Sequence, residues 1–113
     1  MNLYQDEAYA KAEKLVSRIS CKGWDITVLR GEASNIIVFY LSHSTEDSYS
    51  GIKAELVTGY TWGSKQIVND TEANIIRSIG DRILSLTIHE FQENFKVDGK
   101  IVINPHFQIE EKP

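Results

Sequence analysis

The sequence predicts a two-layer α+β domain, with an N-terminal helix and one long C-terminal helix on an antiparallel meander sheet of about four or five strands. Three observations predict it. Apolar residues recur at helical spacing over 3–19 and again over 69–95. Between these segments, strand-length apolar or alternating runs are separated by turn residues. The order helix, meander, helix then places the helices on one face of the sheet.

The first helix is the cleanest periodic segment. Ala8, Tyr9, Ala12, Leu15, Val16 and Ile19 share one face, opposite Glu7, Lys11, Lys14 and Arg18. Asp6 and Glu7 near its start and Arg18 near its end suit the helix dipole, and Gly23 supplies a left-handed ending. Residues 24–30 alternate Trp24, Ile26 and Val28 with Asp25 and Thr27, the pattern of a strand with one wet face. Gly31 to Asn35 is turn chemistry. The run 36–41 is apolar on both faces, which predicts a central strand covered on both sides, or by a helix on one side and a partner on the other.

Residues 42–51 are polar and read as a loop or a hairpin tip. A third strand begins at Ile52 and continues toward Tyr60, and 65–68 is expected to be a short fourth strand. The C-terminal helix is expected over 69–95. Asn69 serves as N-cap there, with Glu72 three residues on as its capping-box partner. At 1.5 Å per residue it would be about 37 Å long, so it should overhang the domain, with Gly80 as a bend.

That helix carries two apolar stripes. Ile75, Ile76, Ile79, Ile83 and Leu86 form a core-facing one, and Leu84, Ile88, Phe91 and Phe95 form a second, displaced one. The second stripe predicts an oligomer interface, a homodimer or a higher assembly. The alternative is that the first helix and the C-terminal strand cover it within one chain. Asp98-Gly99 predicts a two-residue hairpin turn with positive φ at both positions, so that 95–97 pairs with 100–103 before Asn104-Pro105 stops the strand.

Composition narrows the function classes. A chain of 113 residues, 42% hydrophobic and 25% charged, reads as one globular domain over 1–113. The single Cys21 excludes an intramolecular disulfide and a multi-cysteine zinc site, and suits a packed or idle thiol. No signal-peptide pattern and no span-length apolar run is read, so a soluble protein in the cytoplasm is expected. A net charge of −4 argues against non-specific nucleic-acid binding.

No nucleophile elbow, P-loop or dinucleotide fingerprint is present, which argues against an enzyme and implies no cofactor. Tyr60 and Trp62, flanked by Gly59 and Gly63, offer aromatic faces for stacking on a ligand, and Arg30, Arg77 and Arg82 offer cations for its phosphates. The plainer account is that both aromatics pack on the pleat at a strand end. His89, Glu93 and His106 have the ligand types of a metal site. However, the pair His89-Glu90 lacks a second histidine at position 93, so a small metal-dependent enzyme stands only as the alternative.

The run Ile88-His89-Glu90, the turn Val97-Asp98-Gly99 and the ending Asn104-Pro105-His106 resemble the C-terminal parts of small uncharacterised proteins encoded by bacteriophages and prophages. The resemblance covers residues 82–107, and its motifs are short. It implies a non-enzymatic viral accessory protein acting by stoichiometric binding in the host cytoplasm. Such proteins are often inhibitors of host defence that bind a host protein or sequester a nucleotide signal. For a protein target, the acidic residues Glu46, Asp47 and Glu55 would meet a basic patch.

Overall fold

The computed structural model describes residues 3–33, 35–46, 51, 53–86 and 94–102. The class is α+β, as expected, but the strands form two sheets rather than one. In chain order the elements are α1 (Leu3–Val16), β1 (Ile19–Ser20), β2 (Trp24–Arg30), β3 (Ile36–Glu46), β4 (Lys53–Gly63), α2 (Ser64–Asn69), α3 (Glu72–Leu86), β5 (Lys96–Val97) and β6 (Lys100–Ile101). One sheet has the order β2-β3-β4 and the other β1-β5-β6, with every pairing antiparallel.

The α1 helix is shorter than its periodicity suggests. The Ser17 hydroxyl donates to the Lys14 carbonyl at 2.6 Å and the Arg18 amide donates to the Leu15 carbonyl at 3.0 Å, a tightened last turn. Ile19 then leaves the helix to pair with Val97 across the second sheet. Its apolar face stays in the core either way, which is why spacing alone could not separate helix from strand there. Gly23, at φ +85°, serves the β1–β2 turn rather than the helix end, with the Trp24 amide donating to the Cys21 carbonyl at 2.9 Å.

The β3–β4 hairpin is longer than expected, because the polar run 42–46 continues the strand in register with 53–57. His43 shows the reason. It lies opposite Trp24, with ring centroids 5.0 Å apart, and is buried against Gly23. The expected strand over 65–68 is instead part of α2. That helix ends where the Lys11 ammonium donates to the carbonyls of Ile67 (2.8 Å), Val68 (3.2 Å) and Asp70 (2.7 Å). A cation using all three donors on terminal carbonyls satisfies groups that no intrahelical amide reaches.

The start of the helix expected over 69–95 is also corrected, while residues 87–93 lie outside the described residues. Asn69 closes α2, and the cap of α3 is Thr71, whose hydroxyl accepts the Asn74 amide at 3.2 Å. The Asp70 carboxylate accepts the Thr71 amide at 2.8 Å and the Asn74 side-chain amide at 3.0 Å. Within the described residues α3 ends at Leu86, and Gly80 lies buried inside it. The expected hairpin turn is present, with Asp98 at φ 52° and Gly99 at φ 79°. Val97 pairs with Lys100 there, and Lys96 with Ile101.

The core lies between the helices and the inner face of β2-β3-β4. Ala8, Ala12 and Leu15 of α1 meet Val28, Ile37, Phe39 and Leu41 of the sheet, while Ile75, Ile76, Ile79 and Ile83 of α3 join the same cluster. Burying side chains of this size contributes about 1.5–3 kcal/mol each. Phe95, expected at an oligomer interface, is 0% exposed within this chain, and Leu84 is partly buried against the same core. Phe95 is thus covered within its own chain. Ile88 and Phe91 lie outside the described residues.

Candidate functional site

Strand register decides which aromatic residues can reach a ligand. Trp62 pairs with Ile37 and Tyr60 with Phe39, both on the inner face of the sheet. Trp62 is 6% exposed and meets the Phe39 ring edge-on at 6.4 Å. It is a core residue, and the expectation that it stacks on a ligand is corrected. Tyr60 is half-buried and reaches the margin of the same face, where its ring lies 5.8 Å from that of Trp62.

There it meets α3. The Arg82 guanidinium stands over the Tyr60 ring, 5.3 Å from its centroid, and a groove of about 300 Å³ is lined by Tyr60, Ser78, Asp81, Arg82 and Ser85. Helical spacing explains the set, since 78, 81, 82 and 85 fall on one face of α3. The Ser78 hydroxyl donates to the Asn74 carbonyl at 3.0 Å and the Ser85 hydroxyl to the Arg82 carbonyl at 2.7 Å. Their protons are engaged along the helix, and the oxygen lone pairs remain as acceptors. A guanidinium beside an aromatic ring, flanked by a carboxylate and two hydroxyls, can hold an anion while accepting hydrogen bonds from its neighbour groups.

Of the four expected ligand residues, Tyr60 and Arg82 come together. Trp62 lies beneath them in the core, and Arg77 donates to the Asn74 side-chain oxygen at 3.0 Å and does not line this groove. Arg30 is engaged elsewhere, paired with Asp6 and 4.5 Å above the Tyr9 ring. The Tyr9 phenol is held above its ordinary pKa, first by its hydrogen bond to Glu13 and then by desolvation. His89, Glu93 and His106 lie outside the described residues, as do Asp47 and the side chains of Glu46 and Glu55. No cluster of three metal-ligating side chains occurs among the described residues.

Two further openings were not legible in the sequence. One, of about 410 Å³, runs beside Ile19, Cys21, Trp24 and Lys96 where β1 approaches β2. The other, of about 350 Å³, is lined by Lys14, Leu15, Arg18, Glu72 and Asp98. Arg18 spans the second one, donating to Asp98 and to Glu72, each at 2.9 Å. The Asp98 hydrogen bond is the main cause that holds the Arg18 guanidinium above its usual pKa. With its donors engaged this way, Arg18 ties elements together.

The fold and groove define a small α+β protein with an N-terminal helix, two antiparallel three-stranded sheets and a polar groove at the margin of the larger one. Among the described residues no helix is long and apolar enough to cross a membrane. No family model, curated protein or solved structure matches the chain.

Proposed function

We propose that this protein is a non-enzymatic accessory protein of the bacteriophage kind that acts by stoichiometric binding, and that the Tyr60–Arg82 groove receives a small nucleotide. The observation that carries the reading is the Arg82 guanidinium over the Tyr60 ring at the wall of a polar groove. An arginine plane is a stacking surface for a base as well as a donor fork for phosphate. Asp81 and the two serine oxygens are acceptors that suit the amino and hydroxyl groups of a nucleoside. The reading also draws on the resemblance of residues 82–107 to phage-encoded proteins, and takes the binding to be sequestration, in a host cell's cytoplasm, of a signal used in host defence.

The test is calorimetric titration and thermal melting of the protein against a panel of mononucleotides and cyclic dinucleotides. One ligand class should bind near one equivalent per chain and raise the melting temperature. Arg82→Ala and Tyr60→Ala should each weaken that binding at least about tenfold, a loss of about 1.4 kcal/mol. Arg77→Ala should leave it intact. Absence of binding across the panel overturns the nucleotide reading and directs the search to a host protein by affinity capture.

A further inference from the structure

The outer face of β2-β3-β4, turned away from the core, carries an apolar patch. Strand alternation sends Trp24, Val28, Ile37, Phe39, Leu41 and Trp62 into the core and the residues between them outward. On the outer side Leu29 is 45% exposed, Tyr40 39% and Val57 39%, beside the half-buried Ile36 and Val38. In a chain that is 25% charged, the described side chains of this face include one charge, Asp25 at its edge. The strand 36–41 is therefore buried on its inner side and, at Tyr40, exposed on its outer one.

The patch holds a protrusion and a dent side by side. Tyr40 pairs directly with Gly59 across the β3–β4 ladder. Among the described residues a Cβ built on Gly59 would meet only Val38 Cγ1, at 3.8 Å, so the Tyr40 ring does not lie over the glycine. An exposed ring thus stands next to an open hollow of backbone.

We propose that this face is the contact between two copies of the chain, packed about a two-fold axis that runs along the strands between β3 and β4. That axis lays β3 of one copy on β4 of the other and seats each Tyr40 in the Gly59 hollow of its partner. A two-fold contact must be self-complementary, and a ring beside a hollow in one patch meets that requirement. Charge also selects a second copy. At a net charge of −4 two chains repel each other, least where the surface is uncharged. The axis sets the two Asp25 residues about 14 Å apart laterally, three strand spacings, beyond a Debye length in physiological salt. A basic partner would seek carboxylates and a nucleic acid would seek cations, and among its described side chains this patch supplies one carboxylate, at its edge, and no cation.

The overlapping β3–β4 ribbons, 11 residues long and two strands wide, cover about 350 Å² per copy in projection. This is below the roughly 800 Å² per partner of a standard interface, so the dimer is one that dissociates on dilution. The surface differs from the Leu84–Phe95 stripe, and the proposal is independent of the nucleotide reading.

Sedimentation equilibrium of the untagged protein between about 5 and 500 μM tests it, a range that spans weak self-association. The expected result is a mass rising from 12.8 kDa toward twice that value. Tyr40→Glu and, separately, Gly59→Lys should hold it at the monomer mass, with unchanged far-UV circular dichroism showing that each variant folds. Leu84→Glu should leave the association in place. A wild-type protein monomeric throughout overturns the proposal, as does association that survives both face variants or is abolished by Leu84→Glu alone.

Discussion

Arg18 and Asp98 hold each other by both side chain and backbone. The Arg18 Nε and Nη2 donate to the two Asp98 carboxylate oxygens, each at 2.9 Å, and the Asp98 amide donates to the Arg18 carbonyl at 2.8 Å. Residues 80 apart in the chain thereby join the end of α1 to the β5–β6 turn, and Nη1 adds Glu72 at the start of α3. This clip aligns β1 with β5, a pairing of only two residues on each strand.

Breaking the clip should loosen the small sheet before the large one. Both carboxylates are about half exposed, so the pair contributes about 1 kcal/mol or less, and its effect should shrink in high salt. Asp98→Asn is the informative variant, because asparagine tolerates the φ of 52° that alanine would not. Urea denaturation should show about 0.5–1 kcal/mol lost in Arg18→Gln and in Asp98→Asn, with the double variant losing less than the sum. Amide hydrogen exchange should rise at Ile19 and Val97 and remain low at Phe39.

Lys11→Met should cost more, although it is a surface-helix lysine by pattern. It leaves three carbonyls at the end of α2 without their donor, and an unsatisfied part-buried carbonyl costs about 1–3 kcal/mol. The methionine keeps the apolar stem, so the loss measured by urea melting reports the ammonium rather than packing.

Gly23→Ala and Gly99→Ala separate two kinds of glycine requirement. Both have positive φ, but a Cβ at Gly23 would also lie 2.9 Å from His43 Nε2, while at Gly99 it meets nothing within 4 Å. Gly99→Ala should cost about 1 kcal/mol from the backbone alone. Gly23→Ala should cost about 2–3 kcal/mol, and part of that excess should be absent when it is introduced into a His43→Ala background.

Trp62→Ala should fail as a folding variant and not as a binding variant. A buried tryptophan truncated to alanine costs about 3–5 kcal/mol, enough to unfold a large fraction of a domain this size. Tyr60→Ala, at the half-buried margin, should cost roughly half as much in thermal melting while removing the ring under Arg82.

Legibility followed how locally each feature is determined. The Asp98-Gly99 hairpin could be read because positive φ at two successive positions is a property of those two residues. The β2 strand and the buried face of α1 could be read because their periodicity is complete within a few turns or pleats. The α2 helix could not, since Ile67 and Val68 fit a strand equally well and the carbonyls that close the helix are satisfied by Lys11, 56 to 59 residues earlier in the chain. For the candidate site, the sequence named Tyr60 and Arg82 along with Trp62 and Arg77 but could not sort them. That sorting required the packing of β4 against α3.

By itself the sequence determined the class, the two apolar helix faces, the parity of the strands and the closing turn, all set by steric and solvation preferences within about ten residues. Tertiary structure decided which parity of β4 faces the core, that Phe95 is buried in its own chain, and that Tyr40 on the other face of the central strand is exposed. Alternation specifies that two faces differ, and only the position of α1 and α3 over one of them specifies which face is dry.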